Sequence, residues 1–416
     1  MVGELAELSL AREPFPHTQT RREWPRVLVM GQDLPHLGRA GSIILYRLFE
    51  DWPSDKLLAL GPTVEGETRL ACSFRLIEPV LGRWDFSRAA RAVRFLRGLG
   101  VLRSRMLPLE DWKPQVIVHV LSNLAHSDIA YGFSRKFGIP LVLIVHDDPE
   151  DFNQTYPWAR SFVRRSFRRA YRHAAARLCV SPELEQALAL RYGVSGTVMY
   201  PNRSKSLLPR PAEDSAKLRT PGVLTLGFAG SLGYGYGPRL QELVPLLRES
   251  GSRIRIYGAD LPYLGCDDVL LGEGRMRTPE EAWDRIKREC DAVILPYCYP
   301  HHGHETLYRT HFPSKLTEYL ALGMPVIVSG PNYATGVRWG MAHSGACQVV
   351  TELGRDAWLQ CFARLRSESW HRMQLAEGAF RAAQCPEFDP VSIEEFFYSL
   401  LTTVSIPAVR RKGREK

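Results

Sequence analysis

Lys315 and Glu318 lie three residues apart in the segment PSKLTEYLALGMPVIVSG, residues 313–330, and between them could hold an anion and a pair of sugar hydroxyls. A cation in the first turn of a helix, beside amides with no partner of their own, suits a phosphate. A carboxylate one turn later suits two neighbouring hydroxyls. Pro313 and Ser314 supply the start signal, with Ser314 as N-cap or Pro313 near the first turn. Leu316, Tyr319, Leu320 and Leu322 recur at helical spacing, and Gly323 stops the helix before Met324 and Pro325. Val326, Ile327 and Val328 form a short β-branched run of the kind that lies inside a parallel sheet covered on both faces. Lys315 and Glu318 also fit a plainer description, an exposed pair on one helix face.

A second group of residues points to phosphate chemistry. Leu224–Ala229 reads as an apolar strand, and GSLGYGYG follows at once, with Gly230, Ser231, Gly233, Gly235 and Gly237 letting backbone approach a ligand closely. A helix beginning near Pro238 aims its amide end at the same place. In the first half, QVIVHVL (115–121) and PLVLIV (140–145) are strands carrying His119 and His146 near their carboxyl ends, where open α/β sheets place ligands. His146 is the first choice for a group near a transferred sugar; the alternative is a strand-end histidine bonded to a loop carbonyl. Asp147, Asp148, Glu150 and Asp151 follow it and have the look of an acidic metal motif, but no further ligand cluster accompanies them. The loop 297–311 holds His301, His302, His304, Glu305, Arg309 and His311, which fits a mobile polar loop near a ligand or, by composition alone, a metal cluster.

The elements that would position these groups alternate as strand and helix in both halves, which predicts an α/β chain. RVLVM (26–30) leads into GQDLPHLGRAGS and a helix from Ile43 to Phe49, the first turn of a doubly wound domain. The glycine spacing is not GxGxxG, so the dinucleotide fingerprint is absent and a dehydrogenase is disfavoured. Strands at 253–258, 269–272 and 292–296 and a helix at 279–290 extend the second half. The chain divides into a flexible lead (1–24), a first Rossmann-like domain (25–203), a polar, proline-bearing linker (204–222), a second Rossmann-like domain (223–388), a C-terminal helix (389–405) and a basic tail (406–416).

The string PxKLxEYLAxGxPVI, present here from Pro313, resembles the nucleotide-sugar corner of GT-B glycosyltransferases of the family 4 group. The resemblance is specific over the segment 313–330 and extends to the first half by architecture only. It implies two Rossmann-like doubly wound domains facing across a cleft. Glu318 would hold ribose hydroxyls, and Ser314, Lys315 and the loop at Gly230, Ser231 and Gly233 would face the diphosphate. His146 and Lys315 would act at the reacting centre, Gly38 and Gly41 would line the cleft, and residues 273–276 would lie near the base. The implied reaction moves a sugar from a nucleoside diphosphate sugar to a glycan or lipid-linked acceptor held by the first domain, with retention, no cofactor and no bound metal. The C-terminal helix would cross back to the first domain. Two departures stand out. Thr310 occupies the position, eight before Glu318, where many relatives carry another glutamate, and tyrosines replace the basic pair that commonly follows the glycine loop. Charge compensation would then rest on Lys315, backbone amides and Arg309.

A chain of 416 residues is long for one core and predicts two domains of roughly 200 residues each. No run of about twenty apolar residues occurs, so neither a membrane span nor a signal peptide is expected. The eight cysteines form no CxxC pair and read as reduced thiols of a cytoplasmic protein. The net charge of +9 is concentrated: seven arginines and no acid lie between Arg160 and Arg177. On a helical wheel Arg164, Arg165, Arg168, Arg169 and Arg172 oppose Val163, Phe167, Ala170, Ala174 and Leu178. A second ladder runs through Arg88, Arg91, Arg94 and Arg97. Such faces suit the anionic inner face of a membrane or a phosphate-bearing acceptor, or are simply solvated; no nucleic-acid module accompanies them. Two other functions share this pattern: a nucleotide-sugar epimerase of the same fold, and a non-catalytic GT-B-like subunit that binds membrane or a partner.

Overall fold

The computed structural model describes residues 23–31, 34–37, 40–61, 70, 72–76, 112–121, 124–152, 160–210, 215–258, 268–299, 304–351 and 354–406. Gly38, the ladder from Arg88 to Arg97, His301, His302 and the two termini lie outside them.

The first domain is built on strands β1 (Val27–Met30), β2 (Leu57–Gly61), β3 (Ser73–Leu76), β4 (Val116–Val120), β5 (Leu141–Val145), β6 (Ala176–Cys179) and β7 (Thr197–Val198). They form one parallel sheet in the order β3-β2-β1-β4-β5-β6-β7. Its helices are α1 (Ala40–Phe49), α2 (Leu124–Phe137), α3 (Pro149–Phe152), α4 (Arg160–His173) and α5 (Pro182–Tyr192). Every residue of β1, β4 and β5 is buried, as expected where helices cover both faces of a parallel sheet.

The second domain repeats the plan with β8 (Thr225–Ala229), β9 (Arg253–Tyr257), β10 (Leu270–Gly272), β11 (Ala292–Pro296), β12 (Val326–Ser329) and β13 (Gln348–Val350), in the order β10-β9-β8-β11-β12-β13. Its helices are α6 (Tyr236–Glu242), α7 (Val244–Ser250), α8 (Pro279–Glu289), α9 (Glu305–Thr310), α10 (Ser314–Ala321), α11 (Thr335–Ala342), α12 (Arg355–Ser367) and α13 (Ser369–Ala383). In each sheet the strand order reverses beside the first strand, and a crevice opens there at the carboxyl ends, where such folds bind ligands. β8 and β11 border it in the second domain, and β1 and β4 in the first.

The last helix, α14 (Pro390–Ser405), is capped by Asp389, whose carboxylate accepts from the Ser392 amide. Its Ile393, Phe397 and Leu401 close a core with Ile44, Leu45, Leu48 and Phe49 of α1 against β1, β2 and β4. Nearby, Lys205 of the linker pairs with Asp51 at 2.5 Å and with Glu394 of α14, joining the segment between the domains to both helices.

Candidate active site

Helix α10 begins at Ser314 with Pro313 as its N-cap, and no side chain caps it. Ser314 is therefore the first helical residue rather than the capping one. Its carbonyl accepts from the Thr317 hydroxyl, while the first amides are left without a side-chain acceptor. The helix ends at Ala321, and Gly323 turns the chain at φ 63°. Leu316, Tyr319 and Leu320 are buried beneath it, which turns Lys315 and Glu318 toward the cleft. Tyr319 fixes the roll of the helix, its hydroxyl accepting from the Ala229 amide at 2.9 Å, at the very end of β8.

Lys315 lies over the glycine loop. Its Nζ is 4.8 Å from the Tyr236 ring centroid and 5.6 Å from that of Phe228. A Cβ built on Gly230 would sit 3.4 Å from the same nitrogen, so the absence of a side chain at Gly230, whose φ is 95°, gives the ammonium its room. Burial lowers the Lys315 pKa to about 8, against the opposing pull of Glu318. The loop itself is held from below. Gly230 donates to the Tyr257 carbonyl at 2.8 Å, Gly233 donates to the Ser231 hydroxyl at 3.1 Å, and the Tyr308 hydroxyl donates to the Tyr234 carbonyl. Tyr234 adopts φ 56°, the one positive value outside glycine among the described residues. At Gly235 a Cβ would come within 2.2 Å of Cys298 Sγ. This tight, strained turn leaves Ser231 and Gly233 exposed at the mouth of the cleft.

Glu318 carries a partner that the sequence reading did not foresee. Arg47 of α1, in the opposite domain, donates from Nη2 to Glu318 Oε1 at 2.8 Å and from Nη1 to the Asn202 carbonyl at 2.8 Å. The Arg47 side chain is only 5% exposed and that of Glu318 16%, so the pair is shielded from water. The signal for it was faint: one arginine on the otherwise apolar face that carries Ile44, Leu45 and Leu48.

A second pair crosses the cleft. His311, in the turn between α9 and α10, lies 2.8 Å through Nδ1 from Asp147 Oδ1, and 3.3 Å from the His146 carbonyl. Burial pushes His311 down, but Asp147 outweighs it and the pKa ends above the ordinary value. Burial would raise Asp147, yet His311 holds it below the ordinary carboxylate. Beside them His146 ends β5 with both ring nitrogens buried and unbonded among the described residues, and burial drives its pKa to about 4. His119 has the opposite character. Its Nδ1 meets the Met30 carbonyl at 2.7 Å and its Nε2 the Ser127 hydroxyl at 2.9 Å, so it ties β4 to β1 and α2.

The remaining sequence-derived candidates separate in the same way. Asp148 is paired with Arg191 at 2.7 Å, and Glu150 with Arg164 at 2.9 Å, so these acids fasten α3 to α4 and α5 rather than facing the cleft. Glu273 pairs with Arg255 at 2.6 Å and with Arg285, which leaves Gly274, Arg275 and Met276 of the expected base loop without that carboxylate. Arg309 is paired with Glu305 at 2.6 Å and lies 4.2 Å above the Tyr333 ring, so it is engaged away from the glycine loop. Thr310 is buried; its carbonyl accepts from the Ser181 hydroxyl at the start of α5 at 2.5 Å, and its own hydroxyl bonds the Thr306 carbonyl at 3.4 Å. Gly41 sits in the first turn of α1. On α4, Val163, Phe167 and Ala170 are buried while Arg164, Arg165, Arg168, Arg169 and Arg172 are exposed, well away in role from the ion pairs of the cleft.

Two doubly wound parallel sheets, each with its crevice at the carboxyl ends of the strands, define the GT-B architecture. Residues 23–202 match the family described as glycosyl transferase 4-like domain. The match falls on the first half, where the sequence reading had found likeness in architecture alone. Among solved structures, Anabaena HepE in complex with UDP superposes with a TM-score of 0.62 at 16% identity, over 91% of this chain and 100% of that one. Sucrose-phosphate synthase from Thermosynechococcus elongatus gives 0.65 at 13% identity, over 91% and 98%. MurG of Acinetobacter baumannii gives 0.50 at 14%, over 91% and 98%. No curated protein matches the chain by sequence. The fold is GT-B, and its first domain matches the glycosyl transferase 4-like domain over residues 23–202.

Proposed function

We propose that the protein moves a sugar from a nucleoside diphosphate sugar to a glycan or lipid-linked acceptor seated on the first domain. The observation that carries this is the convergence of Lys315, Glu318 and the turn from Gly230 to Gly235 on one crevice. A diphosphate would lie between the start of α10, the Lys315 ammonium and the loop amides, which stabilise the departing charge as the bond to the sugar breaks. Glu318 would receive the ribose hydroxyls once Arg47 yields or shares the carboxylate. His146, neutral and unbonded, would receive a sugar hydroxyl. Retention of anomeric configuration and chemistry without a bound metal remain the reading that the family 4 resemblance supports.

The exposed arginines of α4 would bring the acceptor side to an anionic membrane surface. Among the described residues no helix is long and apolar enough to cross a membrane, so such association would be peripheral. The test is a thermal-shift panel of nucleoside diphosphates and their sugars, beginning with UDP because HepE was captured with it. Stabilisation by one diphosphate, lost in Glu318→Ala by calorimetry, is the expected result; absence of any response would sink the reading.

The buried Thr310 favours one alternative, a binding subunit without catalysis, because its hydroxyl is bonded within its own helix and offers the sugar nothing. Slow hydrolysis of the donor by the purified protein would exclude that alternative. Release of epimerised donor, with no transfer, would instead identify an epimerase.

A further inference from the structure

The glycine loop is short of positive charge. Between Gly230 and Gly237 there is no basic residue, and the first one beyond, Arg239, is buried, lying 5.0 Å from the Tyr299 ring and 5.5 Å from the Trp358 ring and paired with Glu242 at 2.7 Å. Arg309 is held by Glu305 and Tyr333. Among the described residues Lys315 is the basic side chain that lies over this loop.

His311 stands four residues before Lys315, at the entrance to α10, and is anchored on the far side of the cleft by Asp147. Its carbonyl accepts from the Thr335 hydroxyl of α11, so backbone and ring are both fixed. Nδ1 is directed at Asp147 and the His146 carbonyl, which leaves Nε2 without a partner among the described residues. The charged and titratable groups facing the ring are Asp147 and His146 from the end of β5 and Lys315 from α10. Asp147 also acts on Tyr236, whose ring lies beneath the Lys315 ammonium, so these groups share one neighbourhood.

We propose that His311 is the second diphosphate contact of the donor site, donating Nε2–H to a phosphate oxygen while Asp147 of the first domain holds Nδ1. This rests on the donor reading above and deepens it. The imidazolium supplies what the glycine loop lacks, and because its anchor belongs to the other domain, donor binding and apposition of the domains become one equilibrium. The pH dependence follows from the groups named. His311 is protonated below its raised pKa, so its contact is present at low pH and is lost as pH rises through that value. Lys315 discharges near its own lowered value of about 8.

The test is calorimetry with the nucleoside diphosphate that stabilises the protein and with the matching monophosphate, on the full chain and on His311→Gln and Asp147→Asn, each checked for folding by circular dichroism. The wild type should bind diphosphate more weakly as pH rises from 6 to 9. His311→Gln should lose about tenfold in diphosphate affinity and less than twofold for the monophosphate, and should show a shallower pH dependence than the wild type. Asp147→Asn should move the His311 contribution to lower pH. Diphosphate affinity unchanged in His311→Gln overturns the proposal and leaves the donor reading intact. Affinity independent of pH below 8, with turnover falling as pH is lowered, also overturns it, since His311 would then act as a base. A wild type that binds no nucleoside diphosphate overturns both.

Discussion

The cleft and the outer face of α4 both concentrate charge, and they treat it in opposite ways. In the cleft two pairs of opposite charges meet across the domains: Arg47 meets Glu318, and Asp147 meets His311. On α4 the arginines face water; Arg164 pairs with Glu150 and Arg169 lies 3.8 Å from Asp128, while Arg165, Arg168 and Arg172 have no carboxylate partner among the described residues. The difference teaches where charge couples to structure. A shielded pair cannot lose one member without stranding the other, whereas exposed arginines are nearly independent of the fold and are free to act on something outside it.

The largest expected effect follows from removing Glu318. Glu318→Ala strands the buried Arg47 guanidinium, at a cost of about 3 kcal/mol, and removes the proposed ribose acceptor, so both the unfolding midpoint and diphosphate affinity should fall, the latter by about 100-fold. Denaturant titration and calorimetry measure the two separately. Next comes Arg47→Met, which keeps the apolar stem and frees a carboxylate that water reaches more readily. Stability should drop by about 2 kcal/mol while nucleotide affinity is kept or improved. A fall in affinity as steep as that of Glu318→Ala would mean that Arg47 belongs to the donor site, and the contrast with α4 would need a different explanation.

The Asp147–His311 pair gives a smaller, pH-bounded effect. The raised His311 pKa stabilises the fold below about 6.5, the unfolded value, and that contribution is lost as pH rises through the folded value. The depressed Asp147 pKa stabilises above about 3.9 and is lost as pH falls through its folded value. Asp147→Asn should therefore cost most near pH 5 to 6 and little at pH 9, a difference that urea titrations at the two pH values would resolve. The smallest effect on folding belongs to α4. Replacing Arg165, Arg168 and Arg172 with alanine should change stability by less than about 0.5 kcal/mol per site. It should also weaken binding to anionic vesicles by about 1 kcal/mol per arginine, with the loss fading at high salt. Vesicle binding equal to wild type would leave these arginines as a solvated face only.

How much of this was legible in the sequence depended on whether the signal was local. The segment from Pro313 to Gly330 announced helix, stop and strand because each depends on its own residues; of the two starts the sequence allowed, the structure takes Pro313 as the N-cap and Ser314 as the first helical residue. The strands around His119 and His146 were equally plain, but the contrast between them was not. His119 finds a carbonyl and a hydroxyl from distant β1 and α2, and nothing in VIVHV reveals that. Both cross-cleft pairs join residues more than 150 positions apart, so residue types suggested the members and only the fold could match them. Arg309 was read as a phosphate partner and His311 only as part of a polar loop, but within α9 Arg309 is paired with Glu305.

The return of α14 has a practical consequence for anyone who would divide the protein. Phe397 sits 5.3 Å from Phe49, ring to ring, and Leu401 shares its core, so α14 completes the hydrophobic interior of the first domain. During translation that first domain must wait, one apolar face open, until the second domain and α14 have been made. A gene cut at the linker would leave an amino-terminal fragment prone to self-association, and a carboxyl-terminal fragment trailing an unhoused amphipathic helix. Grafting residues 389–405 behind the linker of the first fragment is the rational way to obtain it alone.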